Sequence, residues 1–185
     1  MPQDLVEHGQ SPTLRPATVD DLPALDAMMQ QAITRLQADV LSSAQIEASR
    51  AIMGLDRQLV ADGTYFVAMR GDALAGCGGW SKRATLYGGD HSTALREPRL
   101  LDPATEPARV RAMYTAPGFA RRGIGRAVLA HCEAAAQAEG FSAVELMGTL
   151  AGLPLYLAAG YAVIEEVIDD RGGAPVPLKR MRKVL

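Results

Sequence analysis

Two cysteines and three histidines are all that this 185-residue chain offers to soft-metal or redox chemistry. Cys77 and Cys132 stand far apart in apolar stretches, with neither a CxxC pair nor clustered histidines beside them. Such spacing encodes no disulfide framework and no zinc site, so a metal-free protein is expected. Long apolar runs are missing too, since none approaches the roughly 20 residues that cross a bilayer, and no membrane partner is expected. The opening MPQDLVEHGQSP carries acids and lacks the apolar region of a secretory signal. Residues 1–12 read as a flexible N-terminus, and the expected location is cytoplasmic. An excess of one charge sign is also absent: 19 Lys and Arg against 21 Asp and Glu leave a net charge of −2. With an isoelectric point near 5.9, no surface built to cover nucleic-acid phosphates is expected.

What is present fits one soluble globular domain over residues 13–185. Hydrophobic residues make up 48% and charged residues 22%, and the length suffices for a full core. A short strand at 13–15 precedes a helix capped by Thr18 or Asp20, whose Leu22, Leu25, Met29 and Ile33 share one face. A second helix is expected from Ser42 or Ser43 through Ile46, Ile52, Leu55 and Leu59, stopped by Asp62-Gly63. The period then changes to two, giving strands at 65–69 and 74–86 around an Arg70-Gly71-Asp72 hairpin turn. Residues 87–107 show turn residues and no period, so they read as an insertion loop of the length that is usually functional or disordered. Further on come a strand at 109–115, a helix from about 123 to 139, a strand at 142–147, a short helix at 153–158 and two last strands. The helix near 123–139 places Ile124, Val128, Leu129, Cys132 and Ala136 on one face. The fold class is mixed α/β, with helices packed on a central sheet.

The stretch ARRGIGRAVL, from Ala120, puts three arginines and two glycines around a helix start. A helix N-terminus presents unpaired N–H groups and partial positive charge, which suit an anion, but its dipole disfavours bases there. Glycines at 123 and 125 remove the Cβ atoms that would keep a phosphate off those amides. A solvated basic turn on a tightly packed helix is the plain alternative. A Walker P-loop fails because Gly125 is followed by Arg126-Ala127. A dinucleotide fingerprint is weakened by Val128 at the third glycine, although Glu145 would supply its acid.

Over a longer span, MYTAPGFARRGIGRAVL (113–129) resembles motif A of the GNAT superfamily of acyl-CoA N-acyltransferases, in which a strand leads into Q/RxxGxG/A. Gly123 and Gly125 match the glycines, while the Gln/Arg position holds Ala120. GTLAGLPLYLAAGYAVIEE resembles the superfamily's later segment, with Tyr156 four residues before Gly160-Tyr161 and Thr149 where asparagine is often found. LRPATVDDLPAL is similar to the family's first strand and helix, so the resemblance runs from about residue 13 to the C-terminus, apart from the insertion.

The resemblance implies a GNAT-like fold: a mostly antiparallel sheet of about six or seven strands, about four helices, and a βαβ cofactor unit. It implies acetyl-CoA as co-substrate. The pyrophosphate would lie on Arg121, Arg122, Gly123, Ile124, Gly125 and Arg126, and the pantetheine along Met113, Tyr114 and Thr115. A backbone N–H near Met113 or Thr115 becomes the expected oxyanion donor, and Tyr156 the general acid; a packed core aromatic is the alternative for Tyr156. The implied activity is acetyl transfer to the primary amine of a small molecule or peptide. A CoA-binding sensor without turnover and a dinucleotide-dependent oxidoreductase are the competing functions. Asp90, His91, Glu97, Asp102 and Glu145 are the candidate bases. Cys132 is expected to be a core residue rather than an acyl carrier, and Trp80 to pack the sheet. The basic run Lys179, Arg180, Arg182 and Lys183 is expected to guard a sheet edge, and a homodimer through the C-terminal strands is the expected assembly.

Overall fold

In a computed structural model that describes residues 11–185, an apolar strand period builds one seven-stranded sheet. The strands are β1 (Thr13–Pro16), β2 (Tyr65–Arg70), β3 (Ala73–Ser81), β4 (Ala108–Thr115), β5 (Ala143–Thr149), β6 (Ala162–Asp169) and β7 (Val176–Val184). The helices are α1 (Leu22–Leu36), α2 (Ser43–Ser49), α3 (Arg57–Ala61), α4 (Ile124–Ala138) and α5 (Leu153–Ala158). Spatial order is β1-β2-β3-β4-β5-β7-β6, and every neighbouring pair is antiparallel except β4 and β5. The expected flexible N-terminus falls mostly on residues outside those described; Ser11 and Pro12 lead into β1.

Alternation along β2 sends Tyr65 and Val67 toward α1, where Leu25, Met29 and Ile33 are buried, and Phe66 and Ala68 toward α4. On the α4 side, Ile124, Val128, Leu129, Cys132 and Ala136 are the buried stripe read from the sequence. Close helix–sheet packing there depends on Gly76, where an added Cβ would lie 2.6 Å from Cγ2 of Ile124. A third cluster, Leu41, Ala48, Ile52, Val176 and Leu178, seats α2 on β7.

Three expectations are corrected. The single helix from 42 to about 61 is two, because the chain leaves helical geometry after Ser49 and passes Gly54 at φ 138° before Asp56 caps α3. Five α-helices therefore replace about four. The strand expected to reach residue 86 ends at Ser81, where Arg83 turns to bridge Leu100 and its guanidinium binds Asp62 at 2.7 Å. The basic run does not guard an edge: β7 lies between β5 and β6, and Lys179, Arg180, Arg182 and Lys183 are paired with Glu166, Glu165, Glu145 and Glu133. Trp80 packs edge-on against Phe141, and Cys132 is buried in the core, as expected.

The insertion over 87–107 is stitched to the segment after α2. Asp90 N–H donates to the Leu55 carbonyl (2.8 Å), Ser92 Oγ to the Ala51 carbonyl (2.7 Å), and the Asp90 carboxylate accepts from Arg57 N–H (2.9 Å). Tyr87 Oη reaches Asp169 Oδ2 at the end of β6 (2.7 Å), and Arg171 pairs with the same carboxylate. Among the described residues no helix is long and apolar enough to cross a membrane.

Candidate active site

β4 and β5 are joined only at Ala108–Val144 and Arg109–Glu145; beyond these pairs they part. The separation starts beside a bulge. Cys77 pairs with Tyr114 and Gly79 with Arg111, so Ala112 and Met113 together face Gly78. Ala112 takes φ 50°, a conformation that side chains normally avoid. Tyr65, fully buried, donates from Oη to the Ala112 carbonyl at 2.8 Å and fixes that distortion from the α1 side. Tyr114 is locked from the same side, its Oη accepting from Gly54 N–H at 2.9 Å.

A cavity of about 90 Å³ occupies the gap. Met113 and Tyr114 line it from β4, Leu146, Met147 and Thr149 from β5, and Tyr156 from α5. The segment after α2 and the insertion, with Met53, Gly54, Tyr87 and Gly88, form its other wall. Tyr156 is placed by glycines: an added Cβ at Gly152 or Gly148 would lie 2.8 or 3.2 Å from its ring. Gly160, at φ 93°, ends α5 and turns Tyr161 against the Tyr156 ring at 5.9 Å. Among the described residues the Tyr156 hydroxyl finds no hydrogen-bond partner, and burial pushes its pKa up to about 12.

At the far end of β4, a 3-10 turn (Pro117–Phe119) leads to the basic turn. Arg121 at φ 60° and Gly123 at φ 80° coil the backbone, and Arg121, Arg122 and Gly123 are exposed. Gly123 would have nothing within 4 Å of a Cβ, so its glycine answers a backbone need and leaves open space over the helix start. Gly125 differs: its Cβ would lie 3.0 Å from Leu155 Cδ2, so it admits α5 against the first turn of α4. Ile124 is buried and anchors that turn, whereas Arg126 is exposed. No acid lies in the first turn of α4. The turn thus combines exposed amides, the positive helix end and three arginines, which fits the phosphates of a CoA-like ligand. Thr115, half-buried, ends β4 with Oγ1 near Gly125.

None of the five candidate bases lines the cavity, and its lining contains no aspartate, glutamate or histidine. Glu145 is buried among Arg109, Arg180 and Arg182. Asp90 pairs with Arg57 and Arg96, His91 Nε2 contacts the Arg50 carbonyl at 2.6 Å, Glu97 faces Arg99, and Asp102 holds the turn to Ala104. No group of three His, Cys, Asp or Glu among the described residues is arranged to hold a metal.

Arg111 was not singled out by the sequence. It lies on the cavity wall, its side chain only 3% exposed, with Nη2 bonded to Asp56 Oδ2 (2.7 Å) and the Gly88 carbonyl (2.6 Å). The only signal for it was an arginine inside a strand covered on both faces, where apolar residues are the rule.

Comparisons with known proteins agree with this fold. The family model described as "Acetyltransferase (GNAT) family" matches residues 25–161. A GCN5-related N-acetyltransferase from Rhodopseudomonas palustris superposes with TM-score 0.71 at 20% identity, over 95% of this chain and 97% of that one. The PaiA N-acetyltransferase of Thermoplasma acidophilum, solved with coenzyme A, gives 0.62 at 15% identity, covering 95% and 100%. A ribosomal-protein-alanine N-acetyltransferase from Brucella melitensis gives 0.63 at 20%, covering 94% and 99%. Among curated proteins none matches the sequence. With strands parted over a tyrosine-lined cavity and a glycine-arginine turn at a helix start, matched across most of its length by the family model, the chain belongs to the GNAT acetyltransferase family.

Proposed function

We propose that this acyltransferase moves an acetyl group from acetyl-CoA to a primary amine by direct attack in a ternary complex, in a cytoplasmic setting. The observation that carries the reading is the unpartnered Tyr156 hydroxyl in the gap between β4 and β5, with the basic turn at the same strand's end. Backbone amides of residues 121–126 and the guanidiniums of Arg121, Arg122 and Arg126 hold the pyrophosphate. The unpaired edge of β4 at Met113, Tyr114 and Thr115 takes the pantetheine amides, which would otherwise find a neighbouring strand. A main-chain N–H near Met113 or Thr115 faces the developing oxyanion, where fixed donors act best.

The amine nitrogen attacks the thioester carbonyl carbon; an N–C bond forms and the C–S bond breaks. Tyr156 Oη gives its proton to the departing sulfur, and the proton released by the amine passes to water, from which the phenol is restored. A phenol near 12 would be a poor acid toward a solvated thiolate at about 8.5. Burial raises thiols too, as it does for Cys77 in the core on the α1 side. Desolvation in the gap therefore raises the departing thiolate's affinity for the proton, as it raises the phenol's, and narrows the difference between them. With no carboxylate or imidazole on the cavity wall, the amine reacts from its neutral form.

Calorimetric titration with acetyl-CoA, beside NADH, tests the reading. Arg126→Glu keeps an exposed helix position and adds an acid where the dipole tolerates one. Acetyl-CoA affinity should fall at least tenfold, about 1.4 kcal/mol, in that variant. A folded wild-type protein that does not bind acetyl-CoA, or that prefers NADH, sinks the transferase.

A further inference from the structure

Arg111 is a buried cation with donors to spare. Its hydrogen bonds all leave from Nη2, and Nε and Nη1 have no partner among the described residues. The side chain borders both the central cavity and a neighbouring cleft of about 430 Å³ formed with Asp56, Arg83, Asp90 and Arg96. Carboxylates there are already taken. Asp56 is shared by Arg96 (2.9 and 3.0 Å) and Arg111, and Asp90 by Arg57 and Arg96. The chain Arg57–Asp90–Arg96–Asp56–Arg111 holds three guanidiniums against two carboxylates, leaving one positive charge uncompensated. The two unpartnered donors border space that a ligand can enter, so a ligand oxygen at Arg111 would take up hydrogen bonds that the protein leaves unused.

The cavity also discriminates among amines. No acid on its wall can hold an ammonium or take its proton, so an acceptor reacts in proportion to its neutral fraction. At pH 7.5 a lysine-like amine with a pKa of about 10.4 is about 0.1% neutral, whereas a peptide α-amine at about 7.8 is about one-third neutral. Ile52, Met53, Leu86 and Leu178 add an apolar section to a wall that otherwise carries the hydroxyls of Tyr87, Thr149 and Tyr156.

Resting on the acetyl-transfer reading, we propose that the acceptor is an α-amino compound with a small apolar side chain, whose neighbouring carbonyl or carboxylate oxygen accepts from Arg111. Free amino acids and peptide N-termini share this chemistry. Arg111 would bind the oxygen beside the amine and so aim the nitrogen at the acyl carbon, while Tyr156 serves the departing sulfur.

The test is CoA release at pH 7.5 with acceptor pairs that differ only in the carbonyl group: glycinamide against methylamine, alaninamide against ethylamine, leucinamide against 3-methylbutylamine. Glycine, alanine, leucine and the tripeptide Leu-Gly-Gly extend the panel and separate the two sources. When kcat/KM is expressed per neutral amine, so that basicity is removed, the carbonyl partner should still lead by at least tenfold in the best pair. Arg111→Gln should collapse that lead, chiefly through KM. Should that variant not fold, Arg111→Lys keeps the charge beside Asp56 but loses the fork, and the lead should shrink. Equal rates per neutral amine, or a preference for the alkylamines, overturns the proposal. Acetyl-CoA binding without transfer to any α-amino compound overturns it while leaving the cofactor site standing; absence of acetyl-CoA binding removes the transferase itself.

Discussion

Gly152 and Tyr156 are fitted to each other. The ring of Tyr156 lies where a side chain at 152 would begin, 2.8 Å from Cε2. Gly152→Ala should therefore push the ring off its position and cost about 1–3 kcal/mol as an overpacked site. The expected result is a lower melting temperature and a turnover defect larger than the fraction of unfolded protein explains. Unchanged turnover would mean that Tyr156 needs no fixed place.

Tyr156→Phe keeps the packing and removes only the hydroxyl. The loss expected of a general acid is about 10²–10⁴-fold in kcat, with acetyl-CoA affinity retained. Because burial holds the phenol near 12, wild-type activity should not fall between pH 7 and about pH 11 through loss of this proton. A descending limb centred below pH 10 and absent from the phenylalanine variant would contradict the assignment.

Glu145 is buried among arginines and does not line the cavity, so we expect it to act on stability rather than on turnover. It lies on β5 with Arg109 at 3.2 Å and Arg180 at 2.7 Å. Glu145→Gln would leave buried guanidinium charge uncompensated, at a cost of about 3–5 kcal/mol. Chemical denaturation should show that loss, while kcat per folded molecule, measured with acetyl-CoA present, stays within a few-fold of wild type.

Both cysteines should be inert in the native protein. Burial raises the thiol pKa of Cys77 to about 12 and that of Cys132 still further, so almost no thiolate exists at pH 8. Iodoacetamide labelling followed by mass spectrometry should find neither modified until denaturant is added. Labelling of Cys132 under native conditions would reopen a covalent role for it.

At the entrance to α1, Asp21 accepts from Arg15 (2.8 Å) and from Thr18 N–H (2.8 Å), and its pKa is lowered to about 2, chiefly by the Arg15 hydrogen bond. Its folded pKa lies below the unfolded value near 3.8, so its stabilisation is present above the unfolded value and lost as pH falls through about 2. Asp21→Asn should lower stability at pH 7 by about 1 kcal/mol, the scale of a helix cap. At pH 2 and below, the two melting curves should draw together.

Local chemistry made much of this molecule readable. The buried face of α4, the bounds of α5 and the hairpin turn at Gly71-Asp72 all follow from spacing and turn residues within one element. Where a distant partner decides the outcome, the reading failed. Arg83 leaves the β3 line for Asp62 and Leu100, and the helix after Ser42 breaks at a segment shaped by the insertion. Tyr156 and the basic turn were legible as motifs, but the cavity that gives the tyrosine its purpose is assembled from six separate stretches. Arg111 owes its position to Asp56 and Gly88, and no window of the sequence contains all three.

The parting of β4 from β5 also has a mechanical side. Two residue pairs are the only ladder between a four-stranded half, β1 to β4, and a three-stranded half, β5, β7 and β6. A ligand arm lying in that gap would act as an eighth strand, tying the halves together along their full length. Amides flanking the gap would then exchange with solvent more slowly when it is filled than when it is empty.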